Sequence, residues 1–259
     1  MASPSLLGHQ VKYDLTVFRR EPEAVGFTIL FPLVFLFVFV GVFGNADITL
    51  EDGATISGAT YFLPAILTLA IGSATFVNLS IGVVEDREAG RLKRLIGTPM
   101  PKGVFIGSRI VIGILISYVM TALMVAIGAI VFGVDVRWAS LPAVLLTVLV
   151  VAGSFCAIGV AFTALVPTSG AASPMANLVI LPLYFISGVF FVFDDLPEGL
   201  QNFARVFPVY HAFEALSESL NPLTETQGFD WAQLGVVALW GIACWLLALR
   251  FFRWLPRGG

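Results

Sequence analysis

The chain has 259 residues, of which 58% are hydrophobic and 12% charged, with a mean hydropathy of +0.94. That balance excludes a soluble globular domain and makes the chain an integral membrane protein. The formal net charge of -3 averages two oppositely charged faces and points to no nucleic-acid partner.

Residues 5–20 open the chain as an amphipathic helix. Leu7, Val11, Leu15 and Phe18 share one face, while Lys12, Asp14 and Arg19 are expected to turn away from it, which suits a helix lying along a membrane surface. Glu21-Pro22 closes it, because proline disfavours helix at the residue before it. The first apolar run, 25–44, is rich in phenylalanine (Phe27, Phe31, Phe35, Phe37, Phe39, Phe43) and contains Pro32. No basic region and cleavage site of a secretory signal accompany it, so it is expected to be retained as a span. The second run, 60–84, carries Thr68, Ser73, Thr75, Asn78 and Ser80. Hydrocarbon cannot satisfy the Asn78 amide, so it should face another helix or a wet cavity.

Residues 84–103, VEDREAGRLKRLIGTPMPKG, form a charged segment between two apolar runs. Glu85, Asp86 and Glu88 come first and Arg91, Lys93 and Arg94 later, with Arg87 among the acids. This order complements the macrodipole of a helix from about Asp86 to Ile96, which Thr98-Pro99 and Pro101 then stop. Leu92, Leu95 and Ile96 fall on one side at helical spacing. The residues alone leave two readings open: a positive-inside loop, or a docking element that rests on its own membrane domain and shows charge to something in the water.

The third and fourth runs are 104–132 and 141–166. Gly103 and Gly107 give the third a GxxxG pattern, and Gly153, Ser154 and Gly159 give the fourth small packing surfaces. The turn Pro167-Thr168-Ser169-Gly170 carries no charge, which leaves any docking to the longer loop. The fifth run, 171–193, contains Pro174, Asn177, Pro182 and Ser187-Gly188 and reads as a bent or broken helix. Asp195 and Glu198 then suggest a capping box for a helix bearing Leu196, Leu200, Phe203 and Phe207. Pro208 breaks that helix, and a second follows to about Leu220. Such a pair would dip into the outer leaflet, lid the outer mouth, or stand as an exposed hairpin. The last run is 231–252. All six runs reach the roughly 20 residues that a spanning helix needs, and their continuity argues for helices rather than barrel strands. Cys156 and Cys244 lie inside spans, so no disulfide framework is implied.

Charge sets the orientation. Twelve of the fourteen Lys and Arg fall in the N-terminal segment, in the 84–103 loop with nearby Arg109, and in the tail (Arg250, Arg253, Arg257). That side is expected to be cytoplasmic, with both termini inside, as six spans require. Eleven acids lie on the other side, beside only Arg137 and Arg205.

No ionisable residue sits in the middle of a span, so an ion-coupled carrier would have nowhere to bind its coupling charge. There is no G-x-x-x-x-G-K-[ST] loop and no H-E-x-x-H, and the only histidines are His9 and His211. ATP hydrolysis by that loop and metal or Cys-His catalysis therefore lack a framework on this chain. From a different class, an intramembrane lipid-modifying enzyme would have Asp194, Asp195 and Glu198 as its outer acidic cluster, and a membrane scaffold would need no site at all.

E-D-R-E-A-G-R-L-K-R-L-I-G-T-P (residues 85–99), F-P-V-Y-H-A-F-E-A-L (207–216) and the layout of the whole chain resemble the permease subunits of type-2 ABC transporters. That family includes bacterial drug exporters of the daunorubicin-resistance kind and lipid-linked polysaccharide exporters. The resemblance implies an all-α integral membrane fold, a single transmembrane domain over 1–259. It would have six spans, an interfacial helix at 5–20, a cytoplasmic coupling helix at 85–102 and an extracytoplasmic helical pair at 195–220. It further implies that Glu85, Asp86, Arg87, Glu88, Gly90 and Arg91, with Lys93 and Arg94 beside them, make or position the contact with a separate nucleotide-binding ATPase subunit. ATP and Mg would bind that subunit, with no cofactor, metal or catalytic residue on this chain. A second permease copy, as homodimer or heterodimer, would complete an export path bordered by Thr75, Asn78, Asn177 and Phe185. Amphipathic or hydrophobic compounds, or a lipid-linked glycan, would leave a bacterial cell by alternating access, as in multidrug efflux and antibiotic resistance. One departure stands out. The family commonly has an acid after the leucine where this chain has Lys93, so the docking surface here should differ in polarity.

Overall fold

The structure is a computed structural model that describes residues 4–20, 22–49, 55–97, 101–135, 137–223 and 227–252. Among the described residues, five helices are long and apolar enough to cross a membrane: Gly58–Glu88, Gly103–Phe132, Trp138–Phe162, Ser169–Ile186 and Trp231–Phe251. The first apolar run forms α2 (Pro22–Phe43), within which Thr28–Phe43 is a shorter apolar helix.

The amphipathic opening is α1 (Pro4–Arg20), packed against α6 (Lys102–Phe132). Gly107 of the GxxxG pattern receives Leu7, whose Cδ1 would lie 3.5 Å from an added Cβ, whereas Gly103 meets nothing. Asp14 does not turn away as its spacing suggested. It is buried, accepts the Ser108 hydroxyl at 2.7 Å and the Gln10 amide at 3.0 Å, and so belongs to the packed face. Glu21 lies outside the described residues.

A short antiparallel hairpin, β1 (Asp47–Thr49) with β2 (Thr55–Ser57), links α2 to the central helix. That helix comprises α3 (Gly58–Gly72), a π-helical turn at Ser73–Val77 and α4 (Asn78–Glu88). It is the buried axis of the domain: Leu63, Ile66, Leu67 and Ile71 have 1% exposure or less, and α2, α6 and the helices Leu141–Phe162 (α7), Ser169–Ile186 (α8) and Pro208–Leu220 (α10) surround it. The ladder irregularity therefore sits in the second span, where a π-turn leaves backbone carbonyls without their usual partners. Leu69 O, just before the turn, keeps the Ser73 amide and also accepts the Tyr184 hydroxyl at 3.3 Å.

The fifth run breaks at Ser187-Gly188 and not at its prolines. α8 runs unbroken over Ser169–Ile186 with Pro174 and Pro182 inside it. It stops short of 193 because Gly188 adopts φ +84°. The Tyr61 hydroxyl pins the turn after it, donating to Gly188 O at 3.2 Å and accepting from Phe193 N at 3.1 Å. The two short helices before the last span are α9 (Glu198–Ala204) and α10 (Pro208–Leu220). The expected capping box does not form: Pro197 occupies the N-cap position and Asp195 belongs to a 3-10 turn. α10 is not an exposed hairpin arm, since Val209, Ala212, Phe213 and Leu216 are buried against the core. His211 ties it further, donating from Nε2 to Arg205 O at 2.8 Å and meeting Gln233 of α11 (Trp231–Phe251) through Nδ1.

α7 (Leu141–Phe162) and α11 pack closely where small residues meet. A Cβ at Gly241 would stand 2.5 Å from Ser154 Oγ and 2.9 Å from Ser154 Cα. Gly241→Val is expected to wedge the two helices apart and cost about 1–3 kcal/mol, as overpacking does. The check is the melting temperature of the detergent-solubilised chain, with Gly235→Val, at a position open to space, as the tolerated comparison. Cys156 and Cys244 are buried free thiols.

Candidate functional site

The charged segment is two helices, not one. α4 ends at Glu88 and α5 covers only Arg91–Ile96. Between them Gly90 takes φ +69°, a left-handed conformation that glycine adopts without steric cost. The order of acids then bases is compatible with an unbroken helix, but the helix is interrupted at the glycine. Thr98 and Pro99 lie outside the described residues.

The charges separate into an inward and an outward set. Arg87 is 2% exposed and ranks among the largest fully buried side chains. It donates from Nη1 to Thr163 O at 3.0 Å and from Nη2 to Val166 O at 2.6 Å. Thr163 is the C-cap of α7, so a guanidinium sits where that helix leaves carbonyls without partners and carries negative partial charge. Glu88, the next residue, accepts from the Ser169 amide at 2.8 Å and the Ser169 hydroxyl at 2.6 Å. Ser169 opens α8, and Thr168 at its N-cap position makes no side-chain capping bond. An anion from outside the helix thus stands at its positive end. Two consecutive side chains hold opposite ends of the turn between α7 and α8.

Asp86 is 3% exposed and joins two arginines, Arg91 Nη1 at 2.7 Å and Arg109 Nη2 at 2.7 Å. Arg109 lies on α6, and its Nε is 4.0 Å from Asp14 of α1. The start of the charged segment, the base of α6 and α1 therefore share one charge network built around two buried acids, Asp14 and Asp86. Leu92 is fully buried and anchors α5. Outward stand Glu85, Glu88, Arg91, Lys93 and Arg94.

The segment is thus braced from inside and charged outside, beside an apolar helical bundle. The sequence profile of ABC-2 type transporters matches residues 7–221. The chain belongs to the ABC-2 type transporter family. It is the membrane-spanning permease part of such a transporter, a transport subunit rather than a catalytic enzyme, and the family generally works with a nucleotide-binding ATPase subunit. No curated protein matches the chain.

The residues that the resemblance set beside the path are not gathered at one point of the ABC-2 domain. Thr75 is fully buried, bonded to Ile71 O at 2.6 Å beneath Gly113 and Gly159. Asn78 donates to Thr28 of α2 at 3.0 Å, an interhelical bond that satisfies its amide, and also borders a cavity of about 350 Å³ shared with Asp14, Asp86 and Arg109. Asn177 donates to Ser173 O at 3.0 Å within α8. Phe185 is 47% exposed and joins an aromatic cleft with Phe190, Phe35 and Phe39 at the opposite end. Asp194 borders a separate cleft of about 310 Å³ with Tyr61, Glu214, Glu218 and Asp230. No cluster of His, Cys, Asp or Glu able to hold a metal occurs among the described residues.

Two features of the charged segment escaped sequence reasoning. The partners of Arg87 are backbone carbonyls far along the chain, which no motif announces. Arg109 had a visible signal, a lone cation one helical turn or so inside an apolar run, but nothing in the sequence named its two acids.

Proposed function

We propose that the chain is one of two permease copies in an ATP-driven exporter of the drug-exporting branch. It would span a bacterial cell membrane six times, with both termini cytoplasmic. Lys93 and Arg94, with Arg91 and Glu85, dock on an ATPase subunit that binds ATP and Mg. The observation that carries this reading is the division of the charged segment: Arg87, Asp86 and Leu92 hold it from inside while Lys93 and Arg94 stand exposed. Closure of the ATPase pair moves the segment, and the membrane halves rock between inward and outward opening. The phenylalanine-lined cleft of Phe35, Phe39, Phe185 and Phe190 and the lack of charge at membrane depth favour amphipathic or hydrophobic cargo.

Lys93 and Arg94 are suited to the test because neither holds the fold together. A tagged chain purified from its native membrane should bring down a soluble nucleotide-binding subunit. Lys93→Glu/Arg94→Glu should lose it about tenfold or more, the size of effect expected when charges across an interface become repulsive, while the chain itself accumulates normally. Absence of any ATPase with the wild type, or full retention by the double variant, would overturn the docking assignment.

A further inference from the structure

We infer that Arg87 and Glu88 are positioning residues that join the docking segment to the α7–α8 turn, so that a push on the segment is applied to α7 and α8 as well as to the central helix that carries it. This rests on the transporter reading above. The path of force can be followed bond by bond. α5 is separated from α4 by the left-handed Gly90, a place where motion would otherwise be absorbed. The Arg91–Asp86 pair at 2.7 Å bridges that break, and buried Leu92 fastens α5 beneath it. From Asp86 the next two residues reach the turn. Arg87 holds the C-cap carbonyl of α7, Thr163 O, at 3.0 Å and the turn carbonyl Val166 O at 2.6 Å, and Glu88 holds the first amide of α8 at 2.8 Å.

The chemistry makes this junction stiff in the direction that matters. A two-pronged guanidinium on two carbonyls has fixed geometry, and separating them would leave a buried cation uncompensated. Glu88 reinforces it with the opposite charge at the opposite helix end, each matched to the local macrodipole. The turn itself offers no charged group of its own between 163 and 170. Its attachment to the docking segment is supplied from the segment.

The test uses the permease–ATPase complex in nanodiscs, spin-labelled at Gly97→Cys and Gly170→Cys. A Cβ at Gly170 meets nothing within 4 Å and one at Gly97 only Arg94 O at 3.4 Å, and the native cysteines are buried. Double electron–electron resonance is recorded without nucleotide and after trapping with ATP, Mg and vanadate. The expected result is that the 97–170 distance within a copy holds to about 2 Å, the scale of small helix shifts, while Gly97 labels on the two copies change their separation. Glu88→Ala should let the 97–170 distance shift on trapping, Glu88→Gln should restore it because an amide oxygen still accepts from Ser169, and Arg87→Lys should loosen it further. A wild-type 97–170 distance that changes as much as the inter-copy distance overturns the inference, as does a Glu88→Ala complex that stays as rigid as wild type. If the Gly97 labels do not move between copies at all, the transporter reading itself is overturned, a different result from either.

Discussion

Arg87→Ala is expected to destabilise the protein by about 3–5 kcal/mol. Each hydrogen bond from a charged donor contributes about 1.5–3 kcal/mol, and Arg87 makes two of them with its side chain enclosed. The carbonyl of Thr163 at the end of α7 and that of Val166 in the turn would lose this partner, and the removed side chain would leave a cavity as well. Arg87→Lys keeps the charge at the helix terminus but presents a point donor where a fork was, so it should recover roughly half of the loss. The measurement is thermal unfolding of the detergent-solubilised chain followed by size-exclusion. A melting temperature for Arg87→Ala equal to wild type would show that the guanidinium is not the fastening between α4 and α7. Lys93→Ala provides the contrast, since an exposed cation should be worth no more than about 0.5 kcal/mol.

The large-scale organisation was legible because apolar length and charge distribution are local properties of the sequence. The runs at 104–132, 141–166 and 231–252 became helices with nearly the expected bounds, and Pro208 opened α10 as its fixed φ favours. What the sequence concealed was relational. Asp14 and Leu15 are neighbours on α1, and helical periodicity alone cannot say which faces inward. The answer depends on Ser108 and Arg109, which sit across the interface. Proline content pointed to a bent or broken helix over 171–193, and the run breaks at Ser187-Gly188, after its prolines; the π-turn of the central helix, packed so close to Gly159 that an added Cβ would stand 3.2 Å from Phe76 O and 3.3 Å from Thr75 O, had no such signal. The 167–170 turn looked irrelevant to docking because it has no charge. It is held by Glu88, whose role is visible only once α8 is placed beside α4. Gly90 was readable in principle, since a glycine inside a helical pattern marks a break. The favourable charge order masked it.

Arg109→Met is expected to cost about 3 kcal/mol, and the way that loss is recovered distinguishes a fastening from a mere charge balance. The variant strands Asp14 and Asp86, whose side chains are 3% and 4% exposed, and removing one partner of a buried pair costs about 3–5 kcal/mol. The lower end applies because Arg109 is 29% exposed, Asp86 keeps Arg91, and Asp14 keeps Ser108 and Gln10. Asp14→Asn/Asp86→Asn/Arg109→Met removes all three charges and should regain most of the melting temperature, since neutral groups no longer suffer uncompensated burial. The network also braces Arg91 across the Gly90 break, which an asparagine at 86 does with a weaker, uncharged bond. The triple variant should therefore fold nearly as well as wild type yet capture less of the ATPase subunit, with the deficit growing in higher salt as the remaining surface contacts are screened. Equal capture by wild type and triple variant at every salt concentration would confine Asp86 and Arg109 to stability and leave α5 positioned by Leu92 alone.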